Sequence, residues 1–74
     1  MQTLCQIKEK EEREIEDIFG SSFQIERRLY ELGFMPGRKV EIIKKSFSKK
    51  TILVKIENYC LALRCGVADY VRVK

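Results

Sequence analysis

Acidic side chains are concentrated in the N-terminal part of the chain, and their spacing could allow them to bind a metal ion. Six carboxylates fall within nine positions, namely Glu9, Glu11, Glu12, Glu14, Glu16 and Asp17. In a strand, Glu12, Glu14 and Glu16 would share one face and could attract a hard cation. Nothing else converges there by sequence spacing, so we expect a solvated negative surface and not a metal site.

The three cysteines do not suggest a metal site either. Cys5, Cys60 and Cys65 are too few and too scattered for a disulfide framework. A structural zinc site usually takes four ligands that include a close cysteine pair and histidines, whereas this chain has no histidine. We therefore expect no bound metal and no cofactor, and we predict that Cys60 is a small buried residue in a reducing compartment.

The residues and motifs that enzymes most often use for catalysis are also missing from the sequence. Without histidine, the commonest general base and the Ser-His and Cys-His nucleophile pairs are missing. The four glycines, Gly20, Gly33, Gly37 and Gly66, stand too far apart for a phosphate-binding loop. We expect a protein that is not an enzyme and that works through its surface.

A basic segment at residues 44–50 is the most distinctive surface feature. It carries a single aromatic residue, Phe47, among the lysines Lys44, Lys45, Lys49 and Lys50. An exposed Phe47 could enter a partner's groove or touch an anionic membrane surface, or it could fold back over the open end of a barrel. Met35 and Tyr59 are further candidates for partner contact, because each is predicted to lie at a turn.

The net charge of +4 is unevenly distributed along the chain. Residues 1–31 contain five Lys or Arg and eight Asp or Glu, a net charge of −3, and residues 32–74 contain ten and three, a net charge of +7. Such polarity can steer a partner of opposite charge, although folding can also interleave the two halves. No apolar run approaches about 18 residues and the N-terminus does not resemble a signal peptide, so a cytoplasmic location is expected.

The elements that must position these residues begin with one helix. Ile25, Leu29 and Leu32 recur on one helical face and predict a helix over residues 22–32, with Ser21 and Gln24 as a capping box. Gly33 is suited to the left-handed residue that ends such a helix.

The residues that follow the helix predict a sharp corner in the chain. The Schellman form of the helix end would pair Phe34 with Leu29. Pro36 and Gly37 fit the centre of a type II turn. Arg28 is predicted to brace the helix through Glu31, while Arg27 is expected to be solvated.

Short strands account for most of the remaining chain. A first strand is predicted over Glu11–Phe19 with a bulge between Ile15 and Ile18, followed by strands over residues 38–45, 51–57, 59–64 and 70–73. Asn58 is predicted to take the positive φ of a tight hairpin turn. Short helical turns are predicted near both termini. The pattern predicts one mainly β domain over residues 1–74, with about five strands and a helix between the first two, built either as a small barrel or as an open sheet.

The segment from Arg27 to Gly37 carries a family resemblance. Its pattern Arg-Arg-Leu-x-Glu-Leu-Gly-Phe-x-Pro-Gly, followed by an apolar strand, resembles the signature of the ferrous iron transport protein A (FeoA) family. The end of the chain is similar to the closing pattern of that family, with Leu61-Ala62-Leu63-Arg64 followed by Ala68, Val71 and Val73. The resemblance implies a small SH3-like β-barrel of the cytoplasm that works with a membrane ferrous iron transporter carrying a GTPase domain.

The chain also departs from the family's pattern. Glu9-Lys10 replaces the Pro-Gly-type turn that usually precedes the first strand, and the loop after the second strand has no proline. We therefore expect the basic loop to be mobile.

The resemblance leads to one main functional hypothesis and two alternatives. The main hypothesis is an accessory protein that binds the transporter, at the inner face of the membrane, through Met35, Phe47, Tyr59 and the lysines of residues 44–50. It would meet the membrane only through that partner, would bind no nucleic acid, and could self-associate weakly through strand edges. The alternatives are an SH3-like nucleic-acid-binding module and a detached regulatory domain of an iron-dependent repressor.

Overall fold

Strands form most of the structure. The computed structural model describes residues 2–20, 22–48 and 50–74. The strands are β1 (Gln2–Thr3), β2 (Glu12–Ile18), β3 (Lys39–Lys45), β4 (Thr51–Ile56), β5 (Tyr59–Arg64) and β6 (Val71–Val73). The helices are a 3-10 turn (Leu4–Gln6), α1 (Phe23–Glu31) and α2 (Cys65–Ala68). Within the described residues, no helix has the length and apolar character needed to span a membrane.

The six strands of the described residues belong to one antiparallel sheet with the order β1-β6-β2-β3-β4-β5. The prediction of a mainly β fold with one main helix and short helical turns near both termini is confirmed. Two details differ. The short strand β1 raises the strand count to six, so α1 follows the second strand, and in the described residues no pairing between β1 and β5 closes the sheet into a barrel.

The sheet bends because β2 changes partners along its length. Its first residues, Glu12 to Glu14, pair with β3, whereas Ile15 to Ile18 pair with β6. The register shifts between Ile15 and Asp17, at the position where the sequence predicts a bulge. A bulge adds a residue and increases the local twist, which allows one strand to serve both halves of the sheet.

The concave side of the sheet holds an apolar core. Alternation along β4 places Ile52, Val54 and Ile56 in it, each with no exposed area. The other buried residues are Leu4, Ile7, Ile15, Ile18, Leu29, Phe34, Val40, Ile42, Leu63, Ala68, Val71 and Val73. No polar side chain of the described residues is buried with them, so the core gains stability from apolar burial alone.

Helix α1 packs on this core by the predicted face. Leu29 is completely buried, and Ile25 and Leu32 pack against the core while remaining partly exposed. The helix is capped by Ser22, whose Oγ accepts a hydrogen bond of 3.3 Å from the N–H of Ile25. The predicted cap Ser21 lies outside the described residues.

The predicted end of α1 is confirmed in detail. The Phe34 N–H donates to the carbonyl of Leu29 and the Gly33 N–H donates to the carbonyl of Tyr30, both at 3.0 Å, which is the Schellman pattern. Gly33 has a φ of 101° and Phe34 has no exposed area. The following turn is closed by the Arg38 N–H and the Met35 carbonyl, at 3.2 Å, with Gly37 at a φ of 92°.

Two local predictions prove wrong. Arg27, and not Arg28, pairs with Glu31, at 3.8 Å, because residues four apart face each other on the exposed side of the helix. The positive φ of the β4–β5 hairpin lies at Glu57 (57°) and not at Asn58. The side chain of Glu57 also forms a 3.0 Å ion pair with the guanidinium of Arg38.

The cysteines also differ from the prediction. Cys5 and Cys65 form a disulfide whose Cα atoms lie 5.5 Å apart, and it links the 3-10 turn to α2 across 60 residues of sequence. Cys60 is exposed and free, not buried, because its side chain lies on the outer face of β5. Sequence spacing missed the pair because only the fold brings the two ends of the chain together.

Replacement of Gly33 by alanine is expected to destabilise the fold by about 1–2 kcal/mol, since an L-residue is strained at this φ. A Cβ atom at Gly33 would also lie 3.1 Å from the Tyr59 hydroxyl. Urea unfolding followed by circular dichroism measures the effect. Gly66→Ala is the matched control, because Gly66 lies in α2 and a Cβ there meets no atom within 4 Å, and it should leave the free energy of unfolding unchanged or raise it by up to about 1 kcal/mol. Equal effects of the two substitutions would contradict the role given to Gly33.

Reduction of the Cys5–Cys65 disulfide is expected to lower the free energy of unfolding by about 2–4 kcal/mol, because the cross-link restricts the unfolded chain. Urea unfolding with and without dithiothreitol measures this difference, and a Cys5→Ser, Cys65→Ser double variant should reproduce it. Cys60→Ser should leave the midpoint unchanged. A midpoint insensitive to reductant would show that the disulfide does not stabilise the fold.

Candidate partner-binding site

The loop between β3 and β4 is anchored at its base. The Ser46 N–H donates to the carbonyl of Thr51 at 2.9 Å, and the Thr51 N–H donates to Ser46 Oγ at 3.2 Å. The carbonyl of Lys50 accepts from the N–H of Cys65 at 2.9 Å, which ties the end of the loop to α2. These bonds fix the position from which the tip of the loop projects.

Phe47 stands at that tip with its side chain entirely exposed, at 105 % of the reference area. Of the two orientations that the sequence left open, the structure therefore has the outward one, and Phe47 does not cover the core. The large exposed hydrophobic residues of the described chain also include Phe23 at 74 % and Tyr59 at 43 %, so Phe47 is the most exposed of these three. Such a residue is free to bury its whole ring against a partner.

A cleft of about 720 Å³ lies beside the loop. It is lined by Cys5, Lys8, Glu9, Lys45, Ser46, Phe47 and Cys65, so the disulfide forms part of its wall. Glu9 Oε2 accepts a 2.6 Å hydrogen bond from the N–H of Lys45, and Lys45 Nζ donates to the carbonyl of Cys5 at 3.4 Å. The cleft therefore has fixed walls, since three separate segments of the chain are bonded to one another around it.

The lysines of the loop differ in their roles. Lys44 and Lys50 are exposed, whereas Lys45 is half-buried and already bonded within the protein. Lys49 lies outside the described residues. Together with the exposed Lys8, Lys44 and Lys50 make the surroundings of Phe47 basic, which favours an acidic partner surface.

Met35 and Tyr59 lie at the opposite end of the β3–β4 hairpin. Both are partly exposed, at 37 % and 43 %, and both neighbour the corner that follows α1. The six residues of β4 separate them from the loop by about 20 Å at the usual rise per residue. The structure thus divides the predicted contact residues into two groups and does not bring them together.

Sequence reasoning missed a set of aromatic residues on the outer surface. Phe23 and Tyr30 are both exposed and lie two turns apart on one side of α1, away from the buried face, with the exposed Arg27 between them. Their signal was present in the sequence as a second apolar repeat beside Ile25, Leu29 and Leu32. A separate contact joins β6 to the residue that follows β2, where the guanidinium carbon of Arg72 lies 4.4 Å from the ring centroid of Phe19.

Three of the acidic residues near the N-terminus, Glu11, Glu14 and Asp17, form ion pairs. Arg72 binds both carboxylate oxygens of Asp17, at 2.7 and 2.6 Å, and this contact raises the pKa of Arg72. The pKa of Glu11 is lowered by the hydrogen bond from the Lys8 backbone and by Arg13. Among residues 2–20, 22–48 and 50–74, no three Cys, Asp or Glu side chains converge as metal ligands would.

Comparison with known proteins identifies a family and several similar structures. The family model of the FeoA domain matches residues 2–74. The FeoA of Stenotrophomonas maltophilia, an SH3-domain protein solved in complex with zinc, is 28 % identical and superposes with a TM-score of 0.88 over 100 % of this chain and 91 % of that one. No curated protein matches the chain.

Two further structures share the fold. A FeoA-like protein from Clostridium acetobutylicum is 22 % identical, with a TM-score of 0.90 over 97 % of this chain and 83 % of that one. A manganese-dependent transcriptional repressor is 15 % identical, with a TM-score of 0.89 over 97 % of this chain but only 40 % of that one. The match of the family model over residues 2–74 shows that this chain belongs to the FeoA family, which is linked to ferrous iron transport.

Proposed function

We propose that the protein is an accessory of ferrous iron uptake that binds the cytosolic part of a membrane iron transporter carrying a GTPase domain. Membership of the FeoA family supports the link to iron transport. The relative from S. maltophilia has been put forward as an activating factor for ferrous iron transport. In this proposal the protein acts at the inner face of the plasma membrane and reaches the membrane through its partner.

The observation that carries the proposal is the fully exposed ring of Phe47 on an anchored loop. Burial of a phenylalanine side chain contributes about 1.5–3 kcal/mol, and here none of that free energy is used within the protein. Because the base of the loop is already bonded to β4 and α2, binding costs less conformational entropy than it would for a free loop. Phe47 therefore has the character of an anchor residue in an interface.

The positive charges around Phe47 would guide its encounter with the partner protein. Lys44 and Lys50 are exposed on either side of Phe47, and charged residues at the rim of an interface mainly increase the association rate. The partner surface that fits is an apolar pocket with an acidic border. The cleft beside the loop would receive a side chain from that border, with Lys8 and Lys45 facing it.

The effect on transport would come from a difference in affinity. A protein that binds one nucleotide state of the GTPase domain more tightly shifts the population toward that state, whereas equal binding to all states changes nothing. The proposal therefore requires affinity for the partner to depend on the bound guanine nucleotide. Met35 and Tyr59, at the other end of the hairpin, would form a second contact only if the partner spans both ends.

Phe47→Ala is expected to weaken binding to the soluble GTPase-bearing part of the transporter at least about tenfold, or about 1.4 kcal/mol, because the anchor ring is lost. Titration calorimetry, with and without guanine nucleotide, measures the affinity. Phe23→Ala is the matched control, since it removes an exposed ring from α1, and it should change the affinity less than about twofold. No binding in any nucleotide state would contradict the proposal, as would equal losses in the two variants.

Lys44→Ala is expected to slow association by about two- to fivefold at low salt, with the difference shrinking as salt is added, because it removes a rim charge. Stopped-flow or surface-plasmon measurements give the association rate. Lys39→Ala removes an exposed lysine from the other end of the same strand and should leave the rate unchanged. A slower rate in Lys39→Ala alone would place the contact at the corner that contains Met35.

A further inference from the structure

No strand of residues 2–20, 22–48 and 50–74 pairs with the outer edge of β5. The sheet order ends at β5, which pairs with β4 along one side only. The other end of the order is the two-residue strand β1, so β5 is the longer of the two end strands. An unpaired edge of this length presents a row of backbone donors and acceptors to any extended chain.

The register of the β4–β5 hairpin shows which groups point outward. Ile56 pairs with Tyr59 across a two-residue turn, so Tyr59, Leu61 and Leu63 direct their backbone groups toward β4. The bond from the Cys65 N–H to the Lys50 carbonyl continues the same alternation. The N–H and C=O groups of Cys60 and Ala62 and the N–H of Arg64 therefore point away from β4, whereas the Arg64 carbonyl, at the N-cap of α2, takes part in the first turn of that helix.

The edge lacks the features that usually prevent pairing. Protected edges carry proline, inward-pointing charge, a bulge or several lysines, whereas β5 reads Tyr-Cys-Leu-Ala-Leu-Arg and pairs with β4 without a register shift. Cys60, Ala62 and Arg64 are all exposed, so their side chains leave the edge open. Ala62, at the centre, is small enough to allow close approach of a second strand.

We infer that β5 is a docking edge for a second copy of this chain, which pairs with it antiparallel about a twofold axis at Ala62. Ala62 would then lie opposite Ala62 of the second copy, and Cys60 would lie opposite Arg64 of the second copy. The central Ala62 pair can exchange two backbone hydrogen bonds, and each outer pair can form one from the Arg64 N–H to the Cys60 carbonyl of the other copy.

Charge and hydrogen bonding favour this register over its neighbours. A twofold axis at Arg64 would place two arginines directly opposite each other, which is destabilising. An axis at Cys60 would move the outer pairs beyond the strand into the hairpin turn at Asn58. The axis at Ala62 avoids both problems and gives a closed pair that leaves no further β5 edge for continued growth.

The register with its axis at Ala62 also brings apolar side chains of the two copies into contact. Leu61 is partly buried and Leu63 is 6 % exposed, and both lie on the core side of the sheet. Across the axis, Leu61 would face Leu63 of the second copy at the close spacing of a pair that is not hydrogen-bonded. Pairing would therefore cover the remaining exposed area of Leu61.

Cysteine cross-linking tests the register. In a Cys60→Ser background, Ala62→Cys places two thiols on facing residues with Cα atoms about 5.5 Å apart, within disulfide range. Under mild oxidation this variant is expected to give at least about ten times more covalent dimer than Lys55→Cys in the same background, since a pre-formed pair raises the effective thiol concentration. Lys55 is exposed on the neighbouring strand but lies off the edge.

The natural Cys60 supplies an internal control. In this register the two Cys60 residues are four positions apart along the strands, about 13 Å, which is too far for a disulfide. The unmodified protein should therefore form less covalent dimer than the Ala62→Cys variant. A dimer that forms faster through Cys60 would overturn the proposed register.

Sedimentation equilibrium tests the pairing without new thiols. The average mass of the unmodified protein is expected to rise from monomer toward dimer as concentration increases into the millimolar range, and Ala62→Lys should remain monomeric because it sets two like charges on the axis. Gln24→Lys adds the same charge on α1 and should dimerise like the parent. A monomer at every concentration, or equal behaviour of the two lysine variants, would overturn the inference.

Discussion

The left-handed helix end at Gly33 is the constraint on which the rest of the structure depends. It reverses the chain within a few residues, so that Leu29 before it and Phe34 after it both enter the same core. The turn through Gly37 then directs the chain into β3, the strand that pairs with both β2 and β4. The orientation of the helix and the start of the central hairpin are therefore set by two glycine conformations.

Features encoded by neighbouring residues were predictable from the sequence, and features that depend on distant residues were not. The Schellman end, the turn at Gly37 and the bulge in β2 each have a signal within a few positions. The Cys5–Cys65 pair and the open edge of β5 arise only when the sheet order is known. The positive φ of the β4–β5 turn lies at Glu57 and not at Asn58, so the local preference of asparagine for this conformation did not decide its position.

The candidate site was predictable in composition but not in arrangement. The sequence identifies the basic loop and its single aromatic residue, because both are local. It could not show that Phe47 points outward while Met35 and Tyr59 lie at the far end of the hairpin, since the separation depends on the length and pairing of β4. Likewise, the cleft wall formed by the disulfide combines the 3-10 turn near the N-terminus with α2 near the C-terminus.

The pairing of β1 with β6 has a consequence for the use of this fold within larger proteins. Gln2 lies opposite Val73, so the two ends of the chain are adjacent, at the roughly 5 Å spacing of paired residues. A domain with adjacent ends can be joined to another by a single short linker at either end, or inserted into a surface loop, without stretching its own structure. The same geometry would permit circular permutation, with the old ends bridged and new ones opened elsewhere.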